Sequence, residues 1–181
     1  ETFLEFSIGK VKDINITLAG HVRFPGNYVI NPSMSISNIF VLAGGISETG
    51  TLRNIMLQRD SKIVDSLDFY PLITGNGLFK SINILDGDII IVPPRGETVA
   101  VTGSVLSPAY YEITNDNLKS LLEYTGDINR NGNDQAIIAR AEGPNLYVFK
   151  DQFENTPLIM GDSLIIPHRP MEMKSISISV T

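Results

Sequence analysis

Apolar and polar residues alternate over Ile14, Ile16 and Leu18, and again over Val99 and Val101, a period of two that predicts half-buried β-strands. Between these stretches the period changes. Ile36, Ile39, Phe40 and Ala43 fall at i, i+3, i+4 and i+7 and run into Gly44-Gly45, which predicts a short amphipathic helix stopped by glycine. Leu118, Leu121 and Leu122, running into Gly126, predict a second helix of the same kind. Ile55 to Arg59 and Ala136 to Arg140 read as further strands. The unbroken apolar run Ile89 to Val92, closed by Pro93, reads as a central strand buried on both faces, so all four of its residues are expected in the core.

These elements occur twice in the same order. Gly20, Val22, Pro25 and Tyr28 in the stretch Ala19 to Tyr28 recur as Gly103, Val105, Pro108 and Tyr111 in Thr102 to Tyr111. Leu85 to Pro93 recurs as Ile159 to Pro167, each with a Gly-Asp pair ahead of the apolar strand. The offset falls from 83 residues (Gly20 to Gly103) to 74 (Gly87 to Gly161), so the second copy is shorter by about nine residues, lost between helix and last strand. A hairpin, one helix and then more strands is the outline of an α+β fold, a β-grasp-like module with the helix packed on a small mixed sheet. The expected organisation is a first module over 1–95, a second over 96–169, and a tail over 170–181. In that tail Ile176 to Thr181 alternates strictly and ends on Val180-Thr181, the pair that precedes Gly103 as Val101-Thr102. It therefore predicts the first strand of a third copy, in a chain cut from a longer protein.

Turn chemistry fits the repeat. Phe24-Pro25-Gly26-Asn27 has proline at i+1 and glycine at i+2, as a type II turn requires. Ala109 stands where Gly26 stands in the first copy, so Ser107 to Tyr110 is expected as a type I or open turn. Asp86-Gly87 is a hairpin signal feeding the apolar strand.

On Ala19 to Tyr28, Phe40 to Ser47, Ile55 to Asp60 and Leu85 to Pro93 the sequence resembles the SLBB family, the soluble-ligand-binding β-grasp domains, in the tandem form found in outer-membrane polysaccharide export proteins. The resemblance covers nearly the whole chain. The second copy departs from the pattern at Ala109 and at Thr125-Gly126-Asp127, where the first has Ala43-Gly44-Gly45. The resemblance implies a periplasmic or cell-envelope setting, outer-membrane associated in the full-length protein, and homo-oligomeric rings around a polysaccharide conduit. Within the same resemblance, a receptor for a small soluble ligand such as cobalamin is the alternative to an assembly module. DNA uptake also uses this domain, but there it accompanies a helix-hairpin-helix segment, and no such segment is found here.

Composition narrows the chemistry further. The chain has 181 residues, with 14 Lys plus Arg against 20 Asp plus Glu and a formal charge of −6, which disfavours nucleic acid as a partner. It has no cysteine, so disulfides, thiolate zinc sites and cysteine nucleophiles are excluded. No apolar run reaches the roughly 18 residues that span a bilayer, and Glu1-Thr2-Phe3 does not open a signal peptide. The two histidines, His21 and His168, occupy unlike positions in the two copies and belong to no metal or catalytic spacing. No G-x-S-x-G elbow is found, and no enzymatic activity and no cofactor are expected. The carboxylate pairs Asp65 with Asp68 and Asp86 with Asp88 have the makings of an acid/base pair, but Asp86 and Asp88 flank a glycine turn that itself calls for Asp-Gly.

Asp127, Asn129 and Asn131 open like a calcium loop and end in Gly132, but Ile138 stands where a bidentate glutamate would close the shell, so only a weak Ca²⁺ candidate remains. Sugar-stacking candidates are Tyr110 and Tyr111, with Tyr28, Phe69-Tyr70 and Tyr124 beside them. Arg23, Arg59 and Arg140 are the candidates for an acidic sugar. Arg59 and Arg140 recur at equivalent strand ends, which favours pairing with a local carboxylate.

Overall fold

A computed structural model describes residues 11–75 and 81–170. The chain divides between Gly96 and Glu97 into two units with separate cores. The tail expected to open a third copy, Ile176 to Thr181, lies outside the described residues. Among those residues no helix is long and apolar enough to cross a membrane.

The first unit comprises β1 (Ile14–Gly20), β2 (Gly26–Ile30), α1 (Ile36–Leu42), β3 (Ile55–Arg59), β4 (Lys62–Leu67), α2 (Tyr70–Thr74) and β5 (Ile89–Val92). The sheet order is β2-β1-β5-β3-β4. β5 is parallel to β1 and antiparallel to β3, so the last strand in sequence is the middle one in space. The second unit comprises β6 (Thr98–Gly103), β7 (Ala109–Glu112), α3 (Leu118–Tyr124), β8 (Gln135–Ala139), β9 (Leu146–Phe149), a 3-10 helix (Lys150–Asn155) and β10 (Ser163–Ile166). Its order, β7-β6-β10-β8-β9, repeats the first strand for strand. Both units are thus small α+β folds on one topology.

The predicted periodicities place the cores. Ile36, Ile39 and Phe40 on α1 pack with Ile16, Leu18, Ile55, Leu57, Ile90 and Val92 on one face of the first sheet. Leu118, Leu121 and Leu122 on α3 pack with Val99, Val101, Ile138, Leu164 and Ile166 in the second. Side-chain oxygens cap both helices: Ser35 accepts from the Asn38 amide and Asn117 from the Ser120 amide.

Three local expectations need correction. Of the run Ile89 to Val92 only Ile90 and Val92 are buried, while Ile89 and Ile91 are half-exposed. The strand is central, but the helix covers one face of the sheet, so alternate residues turn away from the core. Gly26 is not the corner of a type II turn: it is already the first residue of β2, paired with Leu18, and its φ of 157° is far from the roughly +80° of that corner. Ala109 begins β7 in the same place, paired with Val101, without adopting a positive φ. Lastly, Asp86-Gly87 does not join two strands. It makes a single turn, Asp88 N to Leu85 O at 3.2 Å, that delivers the chain into β5.

Two-residue turn chemistry appears instead between β3 and β4, at Asp60 and Ser61, both with positive φ (48° and 61°). That is the backbone of a type I′ hairpin.

Candidate functional site

Both sheets are tied at the end of their first strand by a glycine. Gly20 (φ 82°) and Gly103 (φ 87°) are left-handed, and a Cβ on either would lie 2.2 Å from the carbonyl oxygen of Val92 or Ile166. The same carbonyls accept from the next amides, His21 N and Ser104 N, each at 2.8 Å. From there the chain turns through a loop pinned to the helix terminus. Arg23 N donates to Gly45 O and Phe24 N to Ala43 O; Leu106 N and Ser107 N donate to Asp127 O and Thr125 O. Tyr28 Oη donates to Phe24 O at 2.6 Å, and Tyr111 Oη to Ser107 O at 2.7 Å. These tyrosines brace the loop in both units. Burial pushes the Tyr111 phenol above its ordinary pKa.

The arginine positions lie at the other end of the central strand. Arg59 Nε meets Asp88 Oδ1 at 2.7 Å and its Nη2 meets Oδ2 at 2.8 Å, a bidentate pair on a fully buried carboxylate that also accepts the Leu85 amide at 2.8 Å. The hydrogen bond to Asp88 raises the Arg59 pKa above its ordinary value. Arg140 Nη1 meets Asp162 Oδ2 at 2.7 Å, and the same oxygen accepts the Ile159 amide. Asp162 Oδ1 has no hydrogen-bond partner among the described residues, so the second clamp is made by one oxygen only. Each clamp ties the turn before the last strand to the neighbouring strand.

The other candidates scatter. Arg23 is exposed in the β1–β2 loop, beyond the end of β1, while Arg59 flanks the start of the adjacent β5, so the structure does not bring them together. Tyr110 is 75% exposed on the sheet face away from α3; Tyr111 points the opposite way. Phe69 and Tyr70 are core residues, and Tyr124 Oη donates to Asp116. Arg53 sits 4.6 Å over the Tyr70 ring and pairs with Asp68 at 3.1 Å, an arrangement that spacing did not suggest. Asp65 accepts the Ser66 amide. Asp86 accepts the Asn15 amide at 2.7 Å, which holds its carboxyl below the usual range.

In the calcium-like loop, Asp127 Oδ1 accepts the Ile128 amide and Asn129 Oδ1 the Asn131 amide. Asp127 has φ 80° and occupies the place of Gly45. These oxygens serve the turn, and the described residues contain no group of three or more His, Cys, Asp or Glu that could hold a metal.

The histidines, unlike in sequence position, occupy the equivalent corner, each in its own unit. His21 Nδ1 lies 2.9 Å from Thr49 Oγ1. In the second unit Ser104 takes the place of His21, and its hydroxyl is 3.0 Å from His168 Nδ1. The frame is the same in both: Gly50 bridges Pro94 and Gly132 bridges His168, while Arg95 N donates to Thr49 O and Arg169 N to Asn131 O. Only a backbone pairing between the helix-exit loop and the chain after the last strand brings His168 here, and no sequence spacing signals it.

Residues 15–67, from β1 through β4, match the SLBB domain family. The first unit is an SLBB domain. The second repeats the SLBB strand order, its crossing glycine, its braced loop and its arginine clamp. Over 107 residues the chain is 31% identical to polysialic acid transport protein KpsD of Escherichia coli, a stretch covering 59% of this chain. A second polysialic acid transport protein KpsD of Escherichia coli matches to the same extent. The chain spans about a fifth of the length of these relatives, 19%.

Proposed function

We propose that these tandem SLBB units are a non-catalytic module of a polysaccharide export protein in the cell envelope, building contacts between subunits and meeting the exported glycan. The observation that carries the reading is the 107-residue similarity to polysialic acid transport proteins, from a chain whose SLBB topology is duplicated. An assembly role is supported by the sheet faces turned away from the helices. These carry Val29 and Ile63 in the first unit and Tyr110, Tyr147 and Phe149 in the second, all exposed. Apolar surface of this kind marks interaction sites. A non-catalytic role is supported by the use of Asp68, Asp86, Asp88 and Asp162 in holding turns and arginines.

The receptor alternative draws less support. The cleft of about 350 Å³ beside α3 is lined mainly by charged residues, among them Lys119, Glu123, Asp151 and Glu154, whereas a small-ligand pocket is mostly apolar with a few converging polar groups.

The test is deletion of these two units from the parent gene in its native host. Surface polysaccharide should disappear while polymer accumulates inside the envelope; surface polysaccharide at the parental level overturns the reading. Photo-crosslinkers at Ile63 and Tyr147 of the full-length protein should trap copies of the same protein.

A further inference from the structure

At the equivalent corner of each unit, backbone pairing within that unit fixes which residues correspond: Glu48 with Arg130, Thr49 with Asn131, Pro94 with His168 and Arg95 with Arg169. The fold is satisfied by either set, so what differs between them is not dictated by the fold. In the first unit one acid and one base balance. In the second, two arginines and a histidine share a cleft of about 490 Å³ with Asn131 and Pro170, in a chain whose net charge is −6.

Arg130 has neither an ion-pair nor a hydrogen-bond partner among the described residues. Arg169 reaches only Asp134, at 3.4 Å, with both side chains mostly exposed, a pair of the kind worth little in water. The Ser104 hydroxyl is buried and holds His168 Nδ1 at 3.0 Å, which orients the ring and leaves Nε2 for another partner. Guanidinium groups bind planar carboxylates through paired hydrogen bonds, and a basic cleft on an acidic protein concentrates anions locally.

We propose that this corner of the second unit is a carboxylate-binding subsite for an acidic sugar of the exported glycan, with Arg130 and Arg169 as the anion contacts and His168 Nε2 as a further polar contact. The assignment rests on the polysaccharide-export reading and adds to it the class of sugar and the place where it binds. The first unit, with Glu48 and Pro94 in the matching positions, lacks the subsite. Asp134 is the negative group that a bound carboxylate displaces from Arg169.

The probe is an α2,8-linked sialic acid hexamer titrated into the whole isotope-labelled chain. The controls are the same hexamer with its carboxyls reduced to alcohols and, separately, inorganic phosphate. Arg130 and Arg169 Nε–Hε and the His168 ring signals should shift with the acidic hexamer and stay in place with the reduced one. Arg130→Glu, which places in the second unit the residue standing at that position in the first, should weaken binding at least tenfold with Tm unchanged. Arg169→Gln should weaken it severalfold, and Glu48→Arg should leave it unaltered. Equal shifts with the reduced hexamer, or unchanged affinity in Arg130→Glu, overturn the subsite. Displacement of the hexamer by an equal concentration of phosphate overturns the assignment to a sugar carboxylate. If the subsite fails while deletion of the two units still abolishes surface polysaccharide, the export reading stands without it.

Discussion

Replacing Gly20 with alanine should destabilise the first unit clearly, although it adds only one methyl group. Two terms contribute. At φ 82° an L-residue with a Cβ costs about 1–2 kcal/mol, partly offset by roughly 0.4–1 kcal/mol from the stiffer unfolded chain. The second term is steric: the new Cβ would lie 2.2 Å from the Val92 carbonyl oxygen, roughly 1 Å inside normal contact. Relief requires β1 and β5 to part where they cross, weakening the 2.8 Å bond from His21 N to that same oxygen; a hydrogen bond is worth about 0.5–1.5 kcal/mol net. Together these terms come to a loss of about 1–2.5 kcal/mol.

Gly45→Ala is the control, because Gly45 has φ 92° and nothing within 4 Å of its Cβ direction. It should cost only about 0.5–1 kcal/mol, the backbone term alone. Urea unfolding followed by circular dichroism gives the two values, and amide exchange at Leu18 and Ile90 reads the first unit by itself. Equal losses for the two variants would refute the argument from close approach. Gly103→Ala, with its Cβ 2.2 Å from Ile166 O, should repeat the result in the second unit.

Ile166→Ala, at a fully buried position, should cost about 2–5 kcal/mol, whereas half-buried Ile91 should cost about 1 kcal/mol; both are read from urea midpoints. Arg140→Met should destabilise by about 3 kcal/mol, because it strands the buried Asp162 carboxylate; a neutral outcome in thermal unfolding would show the clamp to be dispensable. The pKa of Asp86 is lower in the folded chain than in the unfolded one, so its contribution is present above the unfolded value of about 3.9 and disappears as pH falls through the folded one. Between pH 6 and pH 3 the parent should therefore lose stability faster than Asp86→Asn, as measured by urea midpoints at each pH. Tyr28→Phe removes the 2.6 Å bond to Phe24 O and should cost about 1 kcal/mol, with faster amide exchange at Arg23 and Phe24 as its local signature.

The features legible in the sequence were those the backbone cannot do without. Glycine at 20 and 103, the Gly-Asp pairs before the last strands and the helix periodicity recur because each answers a steric or burial requirement that both units share. Two kinds of feature were not legible. The short helices, α2 (Tyr70–Thr74) and Lys150–Asn155, span too few residues to set up a period. The meeting of His168 with Ser104, and of Arg53 with Tyr70, depends on long-range pairing that puts residues 64 and 17 positions apart side by side. Among the site candidates, recurrence pointed at Arg59 and Arg140, but which carboxylate each holds emerges only once the last strand lies between its neighbours. Arg130 and Arg169 went unremarked because their significance lies in the contrast with Glu48 and Pro94, and that contrast needs the structural alignment of the two units.

Because β5 and β10 are the last strands of their units yet occupy the middle of each sheet, order of synthesis matters. Until Ile89–Val92 emerges from the ribosome, the first unit exists as two separate hairpins, β1–β2 and β3–β4, and two-stranded hairpins are at best marginally stable in water. Such a unit cannot close progressively as its chain appears; it closes in one step when its final strand inserts, and only then do the open backbone edges of β1 and β3 disappear. A chain stalled or clipped just before residue 89 would thus present two unpaired edges at once, a form suited to capture by chaperones or to pairing with the same strands of a neighbouring nascent copy.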